Sequence, residues 1–457
     1  MKFPNVSSFE YRPLFPELTR VPLEVDERQI KKFRELAESM LGKSHDEDEQ
    51  SEGEDNPNIP AGYTYFGQFV AHDLSFTASN RVGTGFGKLT NIRTPMLDLD
   101  CLYGGGPMKT PMLYERRRVS RFLIAEPNDA RRRNHHRPIG EDYDLPRNVM
   151  GHAIIADPRN DSNTMVSQMH LSMMMAHNRI ADALRHEDES VSEIDLFSQA
   201  RRELEWTYQW LALNEYLPRI VNEKRGSWVR GALAAKAGGH RVGVKYFKPW
   251  TAPFLPNEFV FAAFRYGHST VRPSYRLNTM LEKPFPMTPK RGWESAPFDS
   301  HLSTAGDLPN AWTIDWDYFF DSADGGEKTK IVPQPSRLID GRLSWCMGNL
   351  IDPRVNSQPL LPTMTLSHGA RLGMPCGEQL ADHLGENPLD ERDTPLWLWM
   401  LREARQTEDG RCLGAVASTI VSEVLVALVD ADPCSYLRLK PDFLPRYGTL
   451  NGLLTRG

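Results

Sequence analysis

Residues 165–184, MVSQMHLSMMMAHNRIADAL, contain no proline or glycine and place apolar residues at Met165, Met169, Met173, Ile180 and Leu184, four or seven positions apart. Side chains at that spacing share one face of an α-helix. A helix of this length is about 30 Å long, so the chain has to pack around long rods. Ile194–Leu217 is a second such stretch, rich in Leu, Trp and Tyr, with Pro218 just beyond it as a stop. Val416–Val429 reads as a buried helix and Pro395–Ala404 as another. Strand-like alternation is scarce, and the proline-rich stretches 249–256 and 285–289 read as long irregular loops. The expectation is a mainly α fold: a single large helical domain over residues 1–457, with long irregular loops and little β-sheet. The acidic stretch 43–58, KSHDEDEQSEGEDNPN, has almost nothing to bury and reads as a flexible surface loop.

Composition narrows the class. Hydrophobic residues make up 40% of the 457 and charged residues 25%, the balance of a globular protein. A net charge of −6 argues against general nucleic-acid binding. No apolar run approaches the length of a membrane span, and the first residues, MKFPNVSSFEYRPLFPEL, lack the apolar centre of a signal peptide. The five cysteines, Cys101, Cys346, Cys376, Cys412 and Cys434, are widely spaced and include no CxxC or CxxCH motif. That pattern fits reduced thiols, and a cytoplasmic location, better than a disulfide framework, a zinc site or covalent c-type haem attachment.

Four segments concentrate chemistry. In Tyr65–Thr77, YFGQFVAHDLSFT, a helix would place Gln68 and His72 on one face and Asp73 about a quarter turn away. An amide and a neutral imidazole facing one cavity can hold a small polar ligand and accept a proton, and the carboxylate can bind a cation. A satisfied core histidine fits the same pattern. Arg93–Gly106, RTPMLDLDCLYGGG, offers Thr94, Asp98 and Asp100, oxygen donors of the kind Ca²⁺ takes, or a plain surface turn. Asp157–Asn163, DPRNDSN, carries Arg159, a fixed planar cation, or serves as a helix cap through Asp161 or Ser162. Phe259–Val271, FVFAAFRYGHSTV, sets Arg265 and His268 among aromatic residues, an environment for a haem ligand or for a core histidine.

Taken in order, GQxxxHD, LDLDxxYGGGP, DPRNDxN followed by an HLxxxxxHNR helix, and FRYGHS resemble the peroxidase–cyclooxygenase superfamily, the animal-type haem peroxidases, and within it the compact bacterial members. LPRNVMGHAIIADPRND, MTLSHGARLGMPCGEQLA, TPLWLWMLREA and ADPCSYL extend the likeness over roughly residues 57–440. The resemblance implies a helical haem-peroxidase domain that uses H₂O₂ to oxidise a small organic, phenolic-type donor. Two alternatives are a biosynthetic haem oxidase acting on one natural product and a non-catalytic haem-binding relative.

The resemblance also assigns roles. It makes His72 the distal acid–base, Arg159 the distal cation that polarises the O–O bond, and Gln68 the group that orients a water or small anion. His268 becomes the iron ligand and Arg265 the partner of a haem propionate. Asp73, Thr94, the Met96 carbonyl, Asp98 and Asp100 become a Ca²⁺ site beside the distal helix.

Departures from the family pattern carry their own expectations. Ala71 and Ser162 stand where ester-forming carboxylates attach haem in many members, with Asp161 adjacent but displaced, so haem b is expected to be held non-covalently. That favours one-electron oxidation of phenols over oxidation of halides. Thr365 replaces the asparagine that accepts a bond from the ligand histidine, and His368 replaces a nearby arginine. The dioxygenase branch places a radical-forming tyrosine three residues before the ligand. Arg265 stands there in this chain, and Tyr266 is one residue out of register.

Overall fold

The computed structural model describes residues 9–43, 54–82, 85–124, 144–250, 253–281, 283–288, 301–303, 308, 312–322, 331–348 and 361–455. The fold is mainly α with little sheet. Its longer helices are α1 (Glu27–Met40), α2 (Gly62–Leu74), α3 (Thr164–Glu187), α4 (Glu193–Leu211), α5 (Glu223–Ala237), α6 (Leu361–Arg371), α7 (Gly377–Leu384), α8 (Leu396–Thr407) and α9 (Ala415–Ala431). Among the described residues, no helix is long and apolar enough to cross a membrane. All five cysteines are free thiols.

The helix starts follow local chemistry. Asp26 accepts from the Gln29 amide while the Gln29 side chain accepts from Asp26, a reciprocal cap for α1. The cap of α3 is Asn163, whose Oδ1 accepts from Val166 N at 3.0 Å, rather than Asp161 or Ser162. Pro218 does not lie beyond the helical run as expected. After α4 the chain widens into a π turn, Ala212–Tyr216, and Pro218 sits in the first turn of the short helix Leu217–Ile220 that follows. Proline is tolerated there because first-turn N–H groups have no intrahelical acceptor.

Helix α9 is buried at every position from Val416 to Asp430, as a helix apolar on all sides must be. Two buried carboxylates pin it. Glu403 of α8 accepts from Val416 N at 3.0 Å, and Glu423 accepts from the backbone of Lys245, Tyr246 and Phe247.

Helix α2 packs between α3 and a 3₁₀ turn, Ala263–His268. A small sheet joins the segments around it. Strands β1 (Phe9–Arg12), β2 (Asp55–Pro60), β3 (Thr77–Val82), β4 (Gly85–Asn91) and β5 (Leu255–Pro256) include a four-stranded sheet of order β3-β4-β1-β5. β1 runs antiparallel to β4 (Phe9 opposite Asn91) and parallel to β5 (Tyr11 opposite Leu255). It thereby links the hairpin that follows α2 to the strand that leads into the 3₁₀ turn. β6 (Ser274–Tyr275) pairs with β7 (Phe285–Pro286), and β2 pairs antiparallel with β8 (Pro335–Arg337).

β2 corrects the reading of 43–58 as one loop. Residues 44–53 lie outside the described residues, but Asp55–Pro60 is a strand, and Glu54 pairs with Arg337. A two-stranded pair tolerates the prolines 57 and 60 because one edge of each strand needs no donor.

Candidate functional site

Most of α2 is buried, yet Gln68, Ala71 and His72 are half-exposed along one stripe. Arg265, Gly267 and His268 are likewise largely buried with some remaining access on the neighbouring 3₁₀ turn, and a Cβ on Gly267 would meet nothing within 4 Å. A partly accessible stripe on each of two packed elements is the arrangement that would border a crevice. The structure therefore brings Gln68, His72, Arg265 and His268 to neighbouring walls.

On the α2 wall, His72 Nδ1 lies 2.8 Å from Asn160 Oδ1, and Asn160 Nδ2 lies 3.0 Å from His170 Nδ1. The Asn160 amide donates to His170, so its oxygen accepts the Nδ1 proton of His72. That choice of tautomer leaves His72 Nε2 as a lone-pair acceptor, and no described group bonds it. Burial, with the charge of Arg159, lowers the His72 pKa to about 4. Burial lowers His170 to about 3. Both rings are neutral at physiological pH.

Arg159 lies in a 3₁₀ turn, Pro158–Asp161, started by Asp157. Its Nε and Nη2 donate to the Asp157 carboxylate at 3.0 and 2.7 Å, Nη2 also donates to His72 O at 2.9 Å, and Nη1 donates to Ser75 O at 2.7 Å. Four of the five N–H groups are thus used, leaving one on Nη1. The guanidinium stacks 4.2 Å from the Phe76 ring centre. Asp157 is also held by Arg93 at 2.7 Å. Burial would raise the Asp157 carboxyl, but the Arg159 bonds and charge outweigh it and hold the group well below the usual carboxylate range.

The same turn ends on Asp161, which makes a two-pronged pair with Arg147 at 2.7 and 2.8 Å. Ser162 is exposed. Gln68 accepts from Asn163 Nδ2 at 3.3 Å, which leaves its own amide N–H groups available to the crevice.

On the other wall, His268 Nδ1 is buried without a hydrogen-bond partner. Burial, with the charge of Arg265, lowers its pKa to about 3. Trp397 packs edge-on at 5.9 Å and donates from Nε1 to Arg265 O at 3.2 Å. The Thr365 hydroxyl accepts from Arg265 Nη1 at 3.1 Å and donates to Leu361 O at 3.2 Å, so it serves Arg265 rather than His268. Among the described residues no carboxylate pairs with Arg265, and burial lowers its pKa to about 10. A buried guanidinium without a counter-charge suits an anionic group entering from the crevice. His368 packs edge-on against Phe261 at 5.6 Å, and burial lowers its pKa to about 4. Tyr266 turns away from His268, its Oη 2.8 Å from Tyr216 Oη.

The expected cation donors converge below α2. Asp73, Asp98 and Asp100 bring carboxylate oxygens within 4.8 Å of one another. Thr94 Oγ1 donates to Asp98 at 2.8 Å and to Asp100 at 3.2 Å, and Asp73 accepts from the amides of Leu99 and Cys101. Leu99 takes a left-handed conformation, φ 56°, which turns this loop back on itself. Met96 is buried in it. Burial and mutual repulsion raise the Asp73 carboxyl well above its ordinary value and Asp100 to about 7. A cation would relieve that repulsion.

Asn160, His170 and Arg147 were not anticipated. The signal for Asn160 was its place next to Arg159. His170 falls in the helical stripe of α3, where an imidazole reads as core.

Residues 82–309 match the description of the animal haem peroxidase family. Chorion peroxidase of Drosophila melanogaster is 31% identical over 118 residues, which cover 25% of this chain and 14% of that protein. Thyroid peroxidase of Sus scrofa is 28% identical over 124 residues, 27% of this chain and 12% of that protein. The chain thus matches only a small part of the length of these relatives. Among solved structures, peroxidase A of Dictyostelium discoideum superposes with a TM-score of 0.60 at 15% identity, covering 97% of this chain and 93% of that one. Fatty acid alpha-dioxygenase of Arabidopsis thaliana gives 0.62 at 15% identity, covering 95% and 76%. At such identities these structures share the fold.

Proposed function

We propose a function from the premise that this chain belongs to the peroxidase–cyclooxygenase superfamily and carries an animal haem peroxidase domain: it is a haem peroxidase that reduces H₂O₂ and oxidises small organic, phenolic-type donors. The observation that carries this reading is the 2.8 Å contact of His72 Nδ1 with Asn160 Oδ1, which assigns the Nδ1–H tautomer and leaves Nε2 free.

The crevice fits haem b by its own chemistry. His268 supplies an unprotonated imidazole, and Arg265 a buried cation with no counter-charge. His268 and Arg265 would hold the group, and the chemistry it would supply is the two-electron reduction of peroxide to water. His72 Nε2 takes a proton from one peroxide oxygen and returns it to the other, which leaves as water. A neutral base with a low pKa gives its proton up readily. The charge of Arg159 and its remaining Nη1–H favour the negative charge that develops on the leaving oxygen. Gln68 orients water or a small anion through its free amide.

Ala71 and exposed Ser162 carry no carboxylate, and Asp161 pairs with Arg147, which supports haem held without ester links. The donor class follows from that weaker oxidising power. At the position three before His268 stands Arg265, and the Tyr266 hydroxyl is engaged by Tyr216, which supports peroxide chemistry over oxygenation of a lipid. Asp73, Asp98 and Asp100, with Thr94 and the Met96 carbonyl, would hold Ca²⁺ next to His72, which Asp73 follows in α2.

The test is stopped-flow absorbance of the haem-loaded protein mixed with H₂O₂. The expected result is a rapid Soret change in the wild type, slowed at least a hundredfold in His72→Ala. An unchanged rate in His72→Ala would overturn the acid–base role, and an unchanged Soret band in His268→Ala would overturn the ligand.

A further inference from the structure

Three tyrosines in the core take no part in this mechanism. Tyr266 lies two positions before His268, and its Oη is 2.8 Å from Tyr216 Oη. Tyr216 closes the π turn after α4 and reaches α2 at Gly67, where a Cβ would lie 2.5 Å from its oxygen. Only glycine admits that approach. The rings of Tyr216 and Tyr63 are 6.4 Å apart and 14° from parallel. Tyr63 Oη donates to Glu215 Oε1 at 2.7 Å. All three tyrosines are at most 4% exposed.

Removing an electron from a buried tyrosine requires somewhere for its proton to go, because a charged phenol radical is not sustained in a low dielectric. Tyr266 and Tyr216 share their hydroxyls with each other. Tyr63 alone of the three donates to a carboxylate. Glu215 is held in place by Leu450 N at 2.8 Å on its second oxygen, and burial raises its affinity for a proton.

We propose that Tyr63 and Glu215 form a second redox site, at which the chain is oxidised by one electron away from the crevice, with Tyr216 and Tyr266 as the relay. This rests on the haem peroxidase reading. Peroxide takes up two electrons on its reduction to water. One of these is replaced from Tyr63, passing inward through Tyr216 and Tyr266. The Tyr63 phenol proton moves to Glu215 Oε1, leaving a neutral phenoxyl radical. An electron-rich donor at the surface then returns one electron, and Glu215 returns the proton.

Access is through a thin cover. The Arg219 guanidinium lies 4.9 Å over the Tyr63 ring, pairs with Asp321 at 2.8 Å, and is 33% exposed. Its charge opposes loss of an electron from the ring. Asp321 offsets that charge, and proton transfer to Glu215 supplies the driving force. The donors served this way are phenols or other electron-rich groups carried on molecules too large for the crevice.

The experiment is rapid-freeze EPR of the haem-loaded full chain after mixing with H₂O₂, with ring-deuterated tyrosine to identify the signal and Soret absorbance recorded on the same samples. The expected result is a tyrosyl signal that collapses in Tyr63→Phe and falls severalfold in Glu215→Gln, which keeps the ring and hydroxyl. Haem uptake and the Soret response are retained in both variants. A normal Soret response with no tyrosyl signal, or with the wild-type signal intact in Tyr63→Phe, would overturn the second site and leave the peroxidase reading standing. Absence of any Soret band or peroxide response in the wild type would overturn the peroxidase reading and this one with it.

Discussion

Asn160 bonds His72 at the ring nitrogen that faces away from the crevice, 2.8 Å from Oδ1 to Nδ1, and the same amide is fixed from behind by His170. One neutral side chain thereby decides which nitrogen of His72 is basic. Replacing Asn160 by Ala removes that decision without removing the imidazole. The expected outcome is a bimolecular peroxide rate reduced by about ten- to a hundredfold, the usual effect of losing a partner that orients a catalytic histidine. Haem uptake should be preserved. Stopped-flow traces at several peroxide concentrations give the rate, and a rate equal to wild type would show that the bond is only structural.

Arg147 holds the turn that carries Arg159 and Asn160. It is 5% exposed and bonds both Asp144 and Asp161. Arg147→Ala takes its cation away from two largely buried carboxylates, which costs about 3–5 kcal/mol in comparable buried pairs. Urea unfolding monitored by tryptophan fluorescence measures it. A loss below about 1 kcal/mol would place the pair among weak surface bridges.

Acid should weaken the fold through His177. Its Nε2 donates to Ser120 O at 2.8 Å, and in the neutral ring its Nδ1 accepts from Tyr103 Oη at 2.9 Å. Burial lowers its pKa to about 4, below the 6.5 of an unfolded histidine. Between those values the unfolded chain binds the proton and the folded one does not. The stabilisation is complete above about pH 6.5 and is lost as the pH falls toward 4, by roughly 3 kcal/mol at most. Melting curves over that range should fall less steeply in His177→Gln than in wild type. Identical slopes would clear His177 of the effect.

Chelation addresses the cation loop. If Ca²⁺ sits among Asp73, Asp98 and Asp100, EGTA should lower the melting temperature and added Ca²⁺ restore it, since a ligand bound only to the folded state stabilises it by mass action. Asp98→Asn should abolish the response. A melting temperature indifferent to both EGTA and Ca²⁺ would exclude the ion.

The long helices were legible because their information is local. Met165–Leu184 displays its apolar face within its own sequence, and the structure extends it only to Thr164–Glu187. The sheet was not legible. β1 is four residues long, and its partners Asn91 and Leu255 are distant in sequence, so nothing near Phe9–Arg12 announces a strand. Pro218 misled because a π turn lets a proline enter a helical run. The charged and titratable members of the site stood out by type and by motif. Asn160 did not, because an amide has no charge or pKa to draw notice, and its importance lies in two bonds to residues on different elements. Thr365 was placed by the motif at the ligand histidine, and its actual partner is Arg265. Motif position fixes the backbone, and the choice among neighbouring polar groups is made by geometry.

The pairing of Tyr11 with Leu255 bears on the order in which the protein assembles. The parallel partner of β1 lies far along the chain, so β1 cannot complete its pairing until that later segment has been made. His268, the proposed iron ligand, and the short helix Leu450–Leu454, which packs on α3, come later still. Early helices such as α2 must therefore wait with their aromatic faces uncovered, the circumstance in which chaperones are recruited. Loading of the proposed haem is accordingly expected only after the segment carrying His268 has been made, and expression yield should depend more on the supply of folding helpers than on the supply of haem.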